Sequence, residues 1–122
     1  MKSFSTSPRV AVIIATYNRP KLLERAIRSV LGQTYRDFEV LVVDDRGDPA
    51  TRPVVEGIAE EDRRVRYIPN ETRLGLMENK NKGVRLSSPS VRYVAILDDD
   101  DTYLPRFLER TVEALDFDSE TI

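Results

Sequence analysis

"RVAVIIATYNRPKLLERAIRSVLGQTYRDFEVLVVDD", residues 9–45, is the stretch that decides the fold. It opens on a short, β-branched apolar run, Arg9–Thr16, which reads as a strand buried on both faces. Asn18, Arg19 and Pro20 break that run, and proline suits the first turn of a helix. Leu22, Leu23, Ala26, Ile27, Val30 and Leu31 then recur at helical spacing, and Gly32 can close the helix. Phe38–Val43 is a second apolar run of strand length, ending in Asp44 and Asp45. Strand, helix, strand is the unit that builds a parallel sheet with helical crossovers.

The alternation continues outward from there. The turn-rich "RGDPATRP" (46–53) leads into a short amphipathic helix carrying Val54, Val55, Ile58 and Ala59. Arg64–Ile68 alternates and reads as a third strand, nearer an edge. The polar loop "PNETRLG" (69–75) precedes a helix around Leu76–Leu86, which Gly83 weakens. Val91–Leu97 is a fourth strand. Pro105–Leu115 is a helix with Leu104, Phe107, Leu108, Val112 and Leu115 inward, and "DFDSETI" (116–122) a frayed tail. The class is α/β, a mainly parallel sheet with flanking helices and right-handed crossovers. Residues 1–122 read as a single domain without repeat or linker.

The 122 residues are 40% hydrophobic and 33% charged, a balance that suits one soluble domain. The formal net charge is −2, and Asp98–Asp101 alone supply −4, so the remainder sums to +2 and the acidity is local. No basic block interleaved with aromatics argues for nucleic acid. There are no cysteines and no histidines, which excludes disulfides, thiolates and a histidine base. Any metal site must be built from oxygen. No apolar run approaches ~20 residues, and Met1–Pro8 lacks an apolar signal core. A cytoplasmic setting is expected, with a membrane-peripheral position open for a longer protein.

In open α/β sheets ligands bind outside the carboxyl ends of the strands. "TYN" follows the first strand, "DD" the second and "DDDD" the fourth. Four adjacent carboxylates repel, and two explanations stand. One is a solvated turn with an aspartate near a helix start, where the dipole favours it. The other is a hard divalent cation, Mn²⁺ or Mg²⁺, which takes carboxylate oxygens. In an extended segment Asp98 and Asp100 can converge while Asp99 points away. Asp44 and Asp45 can cap a turn or meet a ligand. Tyr17 can cover the sheet edge or stack on a base, with Asp45 accepting a hydrogen bond from that base's N–H.

Residues 10–45, "RLGLMENKNKG" (73–83) and "VAILDDDDTYLP" (94–105), in this order and spacing, resemble a family-2 glycosyltransferase, the inverting enzymes of GT-A fold. The resemblance implies the Rossmann-like, nucleotide-binding half of that fold, with a nucleotide-diphosphate-sugar donor (a UDP-sugar favoured) and a divalent metal. Thr16, Tyr17 and Asp45 match nucleoside-contacting positions. Asp98 and Asp100 match the Asp-x-Asp metal acids, and Asp99 lies between them near ribose or phosphate. Asn81 matches the family's Asn, and Lys80 stands where Arg is more usual, keeping the charge and losing the planar fork. The implied reaction is a single displacement at the anomeric carbon, onto a hydroxyl of a glycan, lipid or protein acceptor. The family's base lies well downstream of the Asp-x-Asp acids, so the catalytic base is expected beyond Ile122. The chain is then expected to bind donor without turnover, and to self-associate through uncovered apolar surface.

Three other readings remain. A non-catalytic nucleotide-binding module shares the same residues. A nucleotidyltransferase usually opens with a Gly-rich phosphate loop, and "ATYNRP" has no glycine. A receiver-like signalling domain needs a late strand-end lysine, and no lysine follows Lys82.

Overall fold

A computed structural model describes residues 7–120. Along the chain come β1 (Val10–Thr16), α1 (Pro20–Leu31), β2 (Phe38–Asp44), α2 (Thr51–Glu61), β3 (Val65–Pro69), α3 (Leu76–Leu86), β4 (Tyr93–Ile96) and α4 (Phe107–Glu120). The strands form one parallel sheet in the order β3-β2-β1-β4, with β3 at an edge as its alternation implies.

β1 lies between two neighbours and all of its residues are buried. Its side chains divide by parity. Val10, Val12 and Ile14 enter the larger core with Leu23 and Ile27 of α1, Val55 and Ile58 of α2, and Leu108 and Val112 of α4. Ala11 and Ile13 meet Leu41 on the other face, which α3 covers. The chain steps outward from β1 to β3 with α1 and α2 on one face, then returns past β1 to β4 with α3 on the other. Right-handed crossovers require that change of face when the direction of travel reverses. The reversal opens a crevice between the carboxyl ends of β1 and β4.

Gly83 is buried on the sheet-facing side of α3, and a Cβ there would stand 2.5 Å from Cγ2 of Ile13 and 3.4 Å from Cγ2 of Val43. The glycine therefore does not interrupt the helix; it lets the backbone of α3 lie directly on the Ile13 and Val43 side chains of the sheet. On the opposite face one buried amide joins α1 to α4. Gln33 Nε2 donates to the carbonyls of Ser29 (3.1 Å) and Leu104 (2.7 Å), and its Oε1 accepts from Leu108 N (3.0 Å). It thereby satisfies an otherwise orphaned N–H in the first turn of α4.

Three expectations for the helices change. α2 begins at Thr51, inside the stretch read as a connection, because Pro53 then falls in the first turn, where no intrahelical partner is lost. Of the five residues expected inward around α4, only Leu108 and Val112 are buried; Leu104 is 80% exposed, and Phe107 and Leu115 are also exposed. The face turned to the sheet is the line Leu108–Val112–Asp116, and β4 is an edge strand, so no described strand lies beyond it to cover the flanks. The stretch read as a frayed tail continues α4 through Glu120, with residues 121–122 outside the described range. Asp116 is held there by Arg9 (3.0 and 2.5 Å) and by the Tyr93 hydroxyl (2.6 Å).

Gly83→Ala should lower stability by about 1–3 kcal/mol in urea unfolding, because Ile13 is a stiff core residue that cannot yield. Gly57→Ala in α2, where a Cβ meets nothing within 4 Å, should raise it by about 0.5–1 kcal/mol. Equal effects at the two sites would show that α3 does not lie as close as described.

Candidate functional site

Thr16 ends β1 level with Asp44 at the end of β2, and Asp45 N donates to Thr16 O at 3.0 Å. Beyond these points Asn18 (φ 59°) and Arg46 (φ 57°) adopt left-handed backbone that turns each chain away from the sheet. A cavity of about 160 Å³ lies at this rim, walled by Thr16, Tyr17, Arg19, Asp45, Asn79 and Asp99, with Arg73 and Gly75 at the loop side.

The two adjacent aspartates have separate fates. Asp44 is buried and accepts from the Tyr67 hydroxyl on edge strand β3. Asp45 turns to the cavity, and its carboxylate accepts from the backbone N–H groups of Leu74 (2.6 Å) and Gly75 (3.0 Å) and from Asn70 Nδ2 (3.2 Å). Burial acts to raise its pKa, but these donors, with the Asn79 amide, outweigh it and hold the carboxyl below its ordinary range. Asp45 is thus a fixed, ionised acceptor. Arg73 stands beside it, Nε 3.7 Å from Asp45 Oδ2, with its guanidinium 3.9 Å over the Tyr17 ring.

The acid run is a turn. Asp101 N donates to Asp98 O at 3.1 Å, so the side chains converge by a β-turn rather than by strand alternation. Asp99 points inward, 8% exposed, accepting from Thr16 Oγ1 (2.9 Å) and Arg19 Nη1 (3.4 Å). Asp98, Asp100 and also Asp101 are exposed, each with a carboxylate oxygen within 4.8 Å of the others. Arg19 Nη1 reaches Asp100 at 3.0 Å and Lys80 Nζ lies 3.6 Å from Asp98. Tyr103, whose hydroxyl donates to Ile96 O, is pushed up to about 12 by burial and then by the Asp98 charge, so it holds its proton at neutral pH.

Of the residues singled out in the sequence, Thr16, Tyr17, Asp45 and Asp99 line the cavity, while Lys80, Asp98 and Asp100 stand beside it. Asn81 does not join them. It lies on the exposed side of α3, and Asn79 is the asparagine in the cavity wall. Helix geometry carried the signal: Asn79 and Gly83 are four apart and share a face, so a Gly83 pressed on the sheet turns Asn79 inward and Asn81 out. Arg19, Asn70 and Arg73 had no such signal, because loop residues follow no period.

A family model described as glycosyl transferase family 2 matches residues 11–122. The chain is 40% identical over 98 residues to a GalNAc(5)-diNAcBac-PP-undecaprenol beta-1,3-glucosyltransferase of Campylobacter jejuni, covering 80% of this chain and 31% of that one. It is 38% identical over 109 residues to the succinoglycan biosynthesis protein ExoO of Rhizobium meliloti, covering 89% and 30%. Among solved structures it superposes on S. aureus TarS 1–349 in complex with UDP-GlcNAc with a TM-score of 0.80 at 25% identity, covering 88% of this chain and 31% of that one. The mannosyltransferase PcManGT of Pyrobaculum calidifontis, in complex with GDP-Man and Mn²⁺, gives 0.70 at 28% identity, covering 84% and 30%. The chain spans about a third of the length of the curated relatives it matches. With this sheet and these relatives, the chain belongs to glycosyl transferase family 2, the glycosyltransferases of GT-A fold.

Proposed function

We propose that the cavity binds the nucleotide-diphosphate end of a sugar donor, for inverting transfer to an acceptor hydroxyl. The observation that carries this reading is the layout of the rim: an aromatic ring and an ionised acceptor at one end, an acid turn flanked by two cations at the other. The base stacks on Tyr17, and Asp45 accepts its ring N–H, which suits uracil. Thr16 lies beside Tyr17 and Asp45 at the nucleoside, and Asp99, held by Thr16 and Arg19, lies near the ribose or phosphate. A UDP-sugar is favoured because uracil presents a single ring N–H to the Asp45 carboxylate in the cavity wall that Tyr17 also lines, and a structure of similar fold holds UDP-GlcNAc.

The turn fits a divalent cation. Its three exposed carboxylates come within reach of one another, and oxygen donors without histidine or cysteine suit Mn²⁺ or Mg²⁺. Asp98 and Asp100 would hold the ion, with Asp101 the third candidate. When bound, the ion neutralises the charge that builds on the departing diphosphate. Arg19 and Lys80 offset the turn's own charge now, and are placed to shift onto phosphate oxygens once the ion takes the carboxylates. As a point charge, Lys80 steers the phosphate without the two-pronged grip of an arginine. The acceptor is a hydroxyl of a glycan, lipid or protein, and a cytoplasmic or membrane-peripheral setting accompanies this reading. Among the described residues no helix is long and apolar enough to cross a membrane.

Calorimetric titration with UDP should show tighter binding with Mn²⁺ present than with chelator, and Asp100→Ala should erase that difference. Equal affinity in both buffers would overturn the metal assignment. Asp45→Ala should weaken UDP binding about tenfold or more, the worth of one hydrogen bond to a charged acceptor, and Asp44→Ala should weaken it less. The reverse order would place the base against the wrong aspartate.

A further inference from the structure

We propose that Asn70, oriented by Lys82 and paired with Asn79, sets the base preference of the cavity by fixing the Asp45 carboxylate as a wall that only accepts hydrogen bonds. The proposal rests on the reading above that Asp45 meets the base.

The chain of donors runs in one direction. Lys82 Nζ donates to Asn70 Oδ1 at 2.7 Å. With its oxygen engaged, the Asn70 amide turns its Nδ2 the other way, onto Asp45 Oδ1 (3.2 Å) and Asn79 Oδ1 (2.6 Å). Asn79, its oxygen taken in turn, shares the cavity wall with Asp45, and only its NH₂ is left to turn toward that carboxylate. Lysine can only donate and an ionised carboxylate can only accept, so the two ends leave each amide one orientation. Asn70 and Asn79 are 4% and 2% exposed, so a reversed amide would bury donor against donor with little water to relieve it. Asn79 lies one turn before Gly83 on the buried face of α3.

The consequence is chemical selection. Uracil presents a ring N–H to such a wall, whereas cytosine presents a lone pair at the equivalent ring nitrogen. A carboxylate held ionised and in place repels the second, and a site built around a fixed polar partner discriminates more strongly than apolar contact does. A carboxylate free to rotate, or to share a proton, loses that contrast.

The test measures dissociation constants for UDP and CDP by calorimetry in Mn²⁺ buffer. It uses the unaltered chain, Asn79→Ala, Lys82→Met and Asp45→Asn, each checked for folding by thermal melting. The unaltered chain should prefer UDP by about tenfold or more. Asp45→Asn should collapse that ratio, and Asn79→Ala and Lys82→Met should each narrow it several-fold, chiefly by admitting CDP. Should Asn79→Ala not fold, Lys82→Met carries the test, since its side chain is only partly buried. Folded variants that keep the original ratio, or that weaken UDP and CDP alike, would overturn the proposal while leaving Asp45 as the base contact. An unchanged ratio in Asp45→Asn would overturn both.

Discussion

Parallel pairing of β1 along both of its edges is the constraint on which the site hangs. Thr16 is level with Asp44 on one side, and Ile13 is level with Ile96 on the other. Because the strands point the same way, all of them leave the sheet at one rim. An antiparallel neighbour would carry its acids to the opposite rim, roughly 20 Å away for a strand of this length. The hydrogen bond from Thr16 to Asp99, across 83 residues of sequence, is the direct result.

The acid run looks prohibitive as a line of letters and is less so in space. Asp99 withdraws into the cavity wall and takes a hydroxyl and a guanidinium. Asp100 shares that same guanidinium, and Asp98 has a lysine close by. The two explanations left open by the sequence are therefore compatible. The stretch is a turn, and that turn is what gathers three carboxylates into reach of one another.

What could be read in advance followed from periodicity and from strand ends. The apolar runs of β1 and β2 have one physical interpretation, and an α/β alternation then dictates which rim their acidic ends share. What could not be read depended on contacts between segments remote in sequence. Nothing local says that Asp101 joins Asp98 and Asp100, since that needs the turn's geometry. Asp116 resembled a residue of a loose tail until Arg9 and Tyr93 were seen to hold it. The outward-facing Leu104 and Leu115 misled because helical spacing marks an apolar stripe without saying what lies opposite it. Motif spacing points to Asn81, whereas the facing of α3, fixed by Gly83 against the sheet, brings Asn79 into the cavity wall.

The contact at Gly83 also limits how such a pocket can diverge. With no side chain of its own at Gly83, α3 rests its backbone on the Ile13 side chain and has no shim to remove, so its distance from the sheet behaves as a fixed gauge. Asn79 sits one turn along the same buried face and inherits that gauge. A lineage or a designer seeking a different cavity shape cannot slide the helix to enlarge the slot. Change has to come through side chains on a stationary frame, and the exposed residues 71–73, between the hydrogen-bonded Asn70 and Leu74, are the place where new shapes can be tried at least structural risk.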